Sequence, residues 1–241
     1  MNKKFFEQLT EYLNRFPRKI LLVAVTKYVG VEETNEVIKA GVRAIGENRV
    51  EDSEKKFPHL LPADSTGSPR VEKHFIGQIQ SRKIKRIVEL FDVIQSVGSI
   101  EHLQRIENEA DKRQKDIRVL LQFNISGEER KGGFNENNLE QIIQAIASKS
   151  LSANSRELAD RDKIILATHH IKIIGVMGMA SHTDDEEIVR KQFGLLKTIR
   201  DRLQEKFPKI TELSMGMSDD YKIALEEGAT MLRIGRALFT K

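Results

Sequence analysis

The chain has 241 residues, with 40 Lys and Arg against 36 Asp and Glu, and it contains neither Cys nor Trp. The absence of Cys excludes disulfides, thiolate nucleophiles and Cys-ligated metal sites. The net charge of +4 is small and dispersed, without a basic block interleaved with aromatic residues, so we expect no nucleic-acid partner. We find no apolar run long enough to span a membrane and no signal-peptide pattern, and we therefore expect a cytoplasmic protein with no membrane contact.

Short β-branched runs alternate along the chain with longer segments of helical spacing. The short runs predict eight strands: Ile20–Thr26, Arg43–Ile45, Lys73–Ile76, Val93–Gln95, Ile117–Phe123, Ile171–Val176, Glu212–Met215 and Met231–Ile234. The segments between them predict helices: Val31–Ala40, Arg49–Lys56, Ser81–Phe91, Ile100–Arg113, Glu136–Ser148, Glu186–Phe207 and Asp219–Glu227. This alternation predicts an α/β protein whose parallel strands close into a single (β/α)8 TIM-type barrel. An open doubly wound sheet would usually have a Gly-rich first turn, which is missing here.

The remaining segments complete the predicted domain. Only seven residues follow Ile234, too few for a full helix, and we expect the amphipathic N-terminal helix 3–16 to pack on the barrel there. The polar segments Leu61–Glu72 and Ser148–His170 are predicted to be loops. The adjacent His169 and His170 cannot easily face one metal ion, and we expect no metal site. Since no linker divides the chain, we expect one domain over residues 1–241 and, without a large apolar surface pattern, a monomer.

Lys27 is the most informative polar residue at the end of a predicted strand. It directly follows the apolar run ILLVAVT, and reactive groups of parallel barrels gather at this end of the strands. Apolar surroundings disfavour an ammonium ion and leave an amine that can condense with an aldehyde. Taken alone, however, the position of Lys27 is more typical of a lysine that simply ends a strand in solvent.

The last two predicted strands carry the signs of a phosphate site. Gly235 follows the eighth strand, and the loops after strands seven and eight form the usual phosphate site of such barrels. In the loop after strand seven, Ser218 can either donate its hydroxyl to a phosphate or cap the next helix. A lysine that faces this site across the barrel suggests a phosphorylated ligand with an aldehyde group.

Six motifs occur in order at the spacing of barrel strands. They are AVTK (24–27), AIGENRVED (44–52), HFIGQIQSRK (74–83), QFNISGEERKGGF (122–134), GVMGMASHTDD (175–185) and LSMGMSDDYKIALEEGATMLRIGRALF (213–239). Together they resemble the PLP-binding homeostasis protein family, single-domain relatives of the N-terminal domain of alanine racemase. The resemblance implies a fold-type III barrel that binds pyridoxal 5'-phosphate (PLP) as a Schiff base. It also implies a role in intracellular vitamin B6 homeostasis, as a carrier or buffer that supplies PLP to apo-enzymes.

The resemblance further implies a set of residues that bind the cofactor. These residues are Lys27, Asn48, His74, Ser214, Ser218, Arg233, Gly235 and Arg236. Lys27 matches the lysine of the Schiff base, and Arg233 matches an arginine beside the pyridine nitrogen. Ser218 and the backbone of Gly235 and Arg236 match the phosphate site, while Asn48, His74 and Ser214 match residues of the pocket wall.

Two other functions stay open at this point. An amino-acid racemase of the same fold needs a second acid or base facing the lysine. In alanine racemase this group is a tyrosine from a further domain, and we expect no such domain in this protein. Tyr28 stands where the family usually has a polar sequence such as Thr-Lys-Pro, and we expect its side chain to point to the other side of the strand from Lys27. A barrel that binds a phosphorylated metabolite without covalent attachment is the remaining alternative.

Overall fold

The structure is a computed structural model, which describes residues 1–61, 70–128, 130–152 and 170–240. Eight parallel strands form a closed barrel in chain order, with β8 paired to β1. The strands are β1 (Leu21–Val25), β2 (Ala44–Glu47), β3 (Glu72–Phe75), β4 (Val93–Val97), β5 (Ile117–Phe123), β6 (Ile171–Gly178), β7 (Glu212–Ser214) and β8 (Met231–Ile234). The predicted (β/α)8 barrel is confirmed.

The helices lie between the strands at the predicted places. They are α1 (Lys3–Leu13), α2 (Val31–Lys39), α3 (Val50–Lys56), α4 (Ile84–Leu90), α5 (Ile100–Lys112), α6 (Leu139–Ser152), α7 (Glu186–Lys206), α8 (Tyr221–Glu226) and α9 (Arg236–Phe239). α1 ends earlier than predicted because Pro17 disfavours helical backbone at Phe16. The predicted helix 81–91 opens with a short 3-10 turn, Ser81–Lys83. Most of the two predicted loops, including His169, lies outside the described residues.

The two ends of the chain meet on the barrel. The amide of Asn2 donates to the carbonyl oxygen of Leu238 at 2.7 Å, so the start of α1 is tied to α9. The rings of Phe5 and Tyr12 both contact the ring of Tyr221 of α8 edge-on, and each centroid is 6.3 Å from the Tyr221 centroid. α1 therefore packs beside the last helices of the chain. Among the helices of the described residues, none combines the length and the apolar character needed to cross a bilayer.

Apolar side chains fill both faces of the barrel wall. The larger cluster lies between the strands and the helices. Of the two small clusters, one contains Val23, Ala44 and Met231. The other contains Val93, Leu120 and Met177. The same barrel also buries polar side chains, among them His74, Gln95, Ser214 and Arg233. A closed parallel barrel buries strands on both faces, which is why their sequences read as nearly continuous apolar runs.

A glycine allows β6 to pair closely with β7. The register of β5 against β6 shifts between Val119 and Leu120, and Gly175 pairs with Glu212 on the next strand. A Cβ atom at Gly175 would lie 2.1 Å from the carbonyl oxygen of Glu212, so no side chain fits there. Glycine in a strand interior often marks such a bulge or close approach.

We predict that Gly175→Ala destabilises the barrel by about 2 kcal/mol or more, because the added methyl group must push β6 and β7 apart. Thermal unfolding of the protein without ligand would measure the effect. Gly194→Ala on α7 is the matched control, since its Cβ would meet only Glu227 Oε2 at 3.8 Å. That control should be neutral or slightly stabilising. Equal melting temperatures for Gly175→Ala and the wild type would contradict the close approach.

Candidate functional site

A cavity of about 570 Å3 opens at the carboxyl ends of β1, β6, β7 and β8. Its volume is within the range of small-molecule sites. Five of the predicted site residues line it: Lys27, Ser218, Arg233, Gly235 and Arg236. The barrel thus brings together residues from the two ends of the sequence, as the position of β8 beside β1 requires.

Lys27 lies on the wall of this cavity, two residues beyond the end of β1. Its Nζ is 4.8 Å from the centroid of the Tyr28 ring, and Tyr28 lines the same cavity. The expectation that Tyr28 points away from Lys27 is therefore wrong. The alternation of a strand no longer holds there, because the chain turns after β1 and the amide of Val29 donates to the carbonyl of Thr26 at 3.1 Å.

Arg233 forms a buried, cationic part of the cavity. Its Nη1 donates to Ser214 Oγ at 2.7 Å and its Nη2 donates to the carbonyl oxygen of Gly178 at 2.9 Å. Burial lowers the pKa of Arg233 to about 10, because a low-dielectric interior disfavours the charged form. The guanidinium is still protonated at neutral pH and can only donate hydrogen bonds.

A chain of hydrogen bonds continues from Arg233 across the barrel interior. Ser214 donates from Oγ to Gln95 Oε1 at 2.7 Å, and Gln95 donates from Nε2 to His74 Nδ1 at 2.8 Å. We call Arg233, Ser214, Gln95 and His74 the interior network. Because Nδ1 of His74 accepts, its proton lies on Nε2, which faces Glu72 Oε2 at 3.2 Å. The network therefore contains a neutral histidine.

His74, at the far end of this network, and Glu72 beside it both have shifted pKa values. Burial lowers the pKa of His74, and the opposing attraction of Glu72 is the smaller effect. Hydrogen bonding from His74, and then the charge of Arg118, lowers the pKa of Glu72 to about 2. At neutral pH, the site thus ends in a neutral imidazole beside an ionised carboxylate.

The side of the cavity predicted to hold phosphate is built from the loops after β7 and β8. Ser218 accepts at Oγ from the amide of Ala237 at 3.3 Å, and Arg236 pairs with Asp219. Ser218 does not cap α8, whose N-cap residue is Asp220, so the capping alternative is wrong. A Cβ atom at Gly235 would lie 3.2 Å from Val25 Cβ, and a larger residue would press against β1.

Three predicted site residues are absent from the lining of the Lys27 cavity. Asn48 lines a separate cavity of about 480 Å3 beside α3. His74 and Ser214 are both fully buried and belong to the interior network. Both are connected to Arg233, which does line the cavity, by the hydrogen bonds of that network.

The sequence reasoning missed other residues of the site. Gln95 links the two halves of the interior network, and its only sequence signal is one amide inside the apolar strand VIQSV. His182 lines the Lys27 cavity from the loop after β6, within the motif GVMGMASHTDD. Met177, Met179 and Met217 line the cavity as their position at strand ends suggests, whereas Met215 is buried in the outer core.

Comparison with known proteins identifies the same family that the six motifs resemble. Residues 5–241 match the family described as alanine racemase, N-terminal domain. The pyridoxal phosphate homeostasis protein of Vibrio alginolyticus is 35% identical over 93% of this chain and 88% of its own length. The chain belongs to the family of the alanine racemase N-terminal domain. The resemblance of the six motifs is thereby confirmed.

Solved structures support the same fold. PipY of Synechococcus elongatus PCC7942, determined with PLP bound, aligns with a TM-score of 0.75 and 28% identity over 98% of this chain and 99% of PipY. An alanine racemase of Clostridium difficile aligns with a TM-score of 0.70 and 17% identity, covering 99% of this chain and 56% of the racemase. The racemase likeness concerns the barrel fold alone.

We predict that His74 makes stability fall as the pH drops below about 6.5, the pKa of an unfolded histidine. Its lowered pKa means that the folded state binds fewer protons than the unfolded state, so acid favours unfolding. Melting temperatures between about pH 7.5 and pH 5.5 should fall less steeply in His74→Gln than in the wild type. His59→Gln, which changes an exposed histidine, should keep the wild-type slope. An unchanged slope in His74→Gln would rule out this origin.

Proposed function

We propose that this protein binds PLP through a Schiff base to Lys27 and carries it, rather than catalysing a fast reaction with it. The observation that carries the proposal is the presence of Lys27 and Arg233 in one cavity, next to the loop of Ser218. An amine can bind an aldehyde, and a fixed hydrogen-bond donor can bind a pyridine nitrogen. Small residues in the loops of a phosphate site leave room for a phosphate. The names of the relatives point to the same cofactor.

The residues present fit PLP on physical grounds. Arg233 is held by Ser214 and Gly178, with its guanidinium buried and oriented before any ligand arrives. A pyridine nitrogen has one acceptor lone pair, which a protonated guanidinium satisfies. Ser218 and the backbone of Gly235 and Arg236 would receive the phosphate on the opposite side of the ligand. The cavity volume of about 570 Å3 accommodates a ligand of this size.

Arg233 favours a carrier over a demanding catalyst. Bound PLP supplies an electron sink, and that sink is strong when a carboxylate keeps the ring nitrogen protonated. Arg233 would donate to the nitrogen and leave it unprotonated, because a guanidinium does not give up its proton at neutral pH. This arrangement would suit a carrier or a racemase and works against transamination.

The racemase alternative needs a second acid or base facing Lys27. Tyr28 is adjacent to Lys27 and lies on the same wall, so it does not meet this requirement. Tyr221 packs against Phe5 and Tyr12 and does not line the cavity. His182 is a titratable side chain that also lines the cavity. It lies in the loop after β6, away from β1, and it would be the acid or base of any racemase activity.

We further propose that the protein works as a cytoplasmic monomer that delivers PLP to apo-enzymes. Among the described residues, the large apolar side chains that are exposed are Tyr28, Ile188 and Met217. Two of these, Tyr28 and Met217, lie at the cavity. Scattered apolar residues are ordinary for a monomer, and a pair at the mouth of the site suits brief contact with a receiving protein.

The first test concerns the covalent link. Lys27→Ala should abolish the visible absorbance of bound PLP and the borohydride-stable adduct, while the melting temperature changes little, since a half-buried side chain without core volume is removed. Mass spectrometry after borohydride treatment would locate the adduct. Lys222→Ala, an exposed lysine of α8, is the matched control and should be labelled as the wild type is. A fully labelled Lys27→Ala would place the link elsewhere, and absence of labelling in the wild type would favour the non-covalent phosphate binder.

The second test separates carrier from enzyme. Protein loaded with PLP should restore the activity of an apo-enzyme, and it should racemise no common amino acid at about 1 per second or faster. Enantiomer analysis by chromatography and recovery of the apo-enzyme's activity are the two measurements. Steady racemisation that is lost in His182→Ala would overturn the carrier proposal. His59→Ala, an exposed histidine outside the cavity, would serve as the control.

A further inference from the structure

A buried ionic cluster lies directly beneath the peptide that precedes Lys27. Lys56 donates from Nζ to Glu47 Oε1 at 2.6 Å and to the carbonyl oxygen of Thr26 at 2.7 Å. Thr26 donates from Oγ1 to the same carboxylate oxygen at 2.7 Å. All three residues are at least nine-tenths buried. We call Thr26, Glu47 and Lys56 the Glu47 cluster.

The cluster lies on the outer side of the barrel wall, against α3. Ala24 and Ile45 belong to the outer core, and alternation along β1 and β2 places Thr26 and Glu47 on that same side. The next residue in each case is a predicted site residue, Lys27 or Asn48. The cluster thus holds the ends of two strands from behind, while Lys27 faces the cavity.

Stability alone gives a poor account of this cluster. Removing two charges from water costs several kcal/mol per ion, and apolar residues of similar volume are often as stable or more stable. Within the described part of the chain, Glu47 Oε2 is buried without a hydrogen-bond partner, so the carboxylate is only half satisfied. A buried polar group left unpaired adds a further cost.

Hydrogen bonding between β1 and β2 reaches only the residue before Lys27, where the amide of Thr26 donates to the carbonyl oxygen of Gly46 at 3.0 Å. The strand β1 ends at Val25, so Lys27 lies beyond the regular pairing with β2 and β8. The carbonyl of Thr26 accepts from Lys56 Nζ and from the amide of Val29, and these two bonds fix the plane of the peptide that bears the nitrogen of Lys27. The bond from Thr26 to Glu47 ties this peptide to β2. Together they set the direction in which the Lys27 side chain leaves the backbone.

We propose that Glu47 and Lys56 are positioning residues that orient Lys27 for capture of its ligand. The proposal rests on the proposed function of Lys27 as the residue that binds PLP. Both residues act through the peptide of Thr26 and touch no ligand. Since small misplacements of a reacting group reduce rates strongly, loss of this support should slow capture about tenfold or more.

The chain offers a matched control for a lysine that bonds main-chain carbonyls. Lys115 donates from Nζ to the carbonyl oxygens of Val88, Glu89 and Phe91 at 2.6, 3.0 and 2.9 Å. It precedes β5 and therefore lies at the opposite end of the barrel from the cavity. Lys115→Met removes the same kind of interaction without affecting Lys27.

The experiment compares Lys56→Met, Glu47→Gln, Lys115→Met and the wild type. The rate at which the visible band appears on mixing with PLP is measured by stopped flow at a temperature where all four are folded. Without PLP, the melting temperature and the Lys27 amide signal in 1H–15N spectra are recorded. We expect slow capture and a shifted Lys27 signal in both cluster variants, and wild-type values of both in Lys115→Met, whatever its melting temperature.

The double variant Glu47→Leu/Lys56→Met keeps the test decisive if a single variant does not fold. It removes both charges, so it should be about as stable as the wild type, yet capture of PLP should remain slow. Capture within twofold of the wild type in the folded cluster variants would overturn the positioning role. If the wild type itself captures no PLP, the proposed function fails. A shifted Lys27 signal in the cofactor-free cluster variants would then still support the positioning role, and an unchanged signal would overturn it as well.

Discussion

The guanidinium of Arg233 lies inside a closed barrel, and a cation in that position must have acceptors. Ser214 on β7 and the carbonyl of Gly178 on β6 supply them, and Ser214 in turn donates to Gln95 on β4. Each of these groups satisfies the next, so the interior cannot be apolar throughout as in a purely structural barrel. The network continues to β3, where His74 stays neutral because burial lowers its pKa. One buried charge on β8 is thereby linked by hydrogen bonds to groups on four other strands, β3, β4, β6 and β7.

This constraint also fixes the chemistry that the cavity can support. Arg233 cannot turn to follow a ligand, since both of its bonded nitrogens are held by neighbouring strands. In the proposed complex it would offer a donor to the pyridine nitrogen at one position only, and the site would then select a ligand whose nitrogen, aldehyde and phosphate are correctly spaced. In the proposed complex, a guanidinium held in this way would leave the ring nitrogen unprotonated and so limit the use of the cofactor as an electron sink.

Much of this could be predicted from the sequence, and the exceptions have a common physical reason. Strands such as Ile117–Phe123 were found because both faces are buried, and Lys27 and Arg233 were found because motifs place them at strand ends. Tyr28 was misplaced because strand alternation ends at Val25. The contacts of Gln95 with Ser214, 119 residues away, depend on closure of the barrel and leave no local pattern. His74 and Ser214 were predicted to line the pocket, but both are buried and linked to Arg233 by hydrogen bonds, an arrangement that spacing along the chain does not show.

The interior network and the Glu47 cluster support two different residues of the Lys27 cavity and share no side chain. The interior network holds Arg233 from inside the barrel, and the Glu47 cluster holds the peptide of Lys27 from outside it. Between them the cavity opens past Tyr28, whose side chain is mostly solvent-exposed, and Met217, which is partly so. A rigid floor and wall give selectivity, while an exposed mouth offers little resistance to departure. A catalyst must exclude water during its reaction, but a carrier must release its cargo, and this combination of a fixed interior and an open rim meets the second requirement.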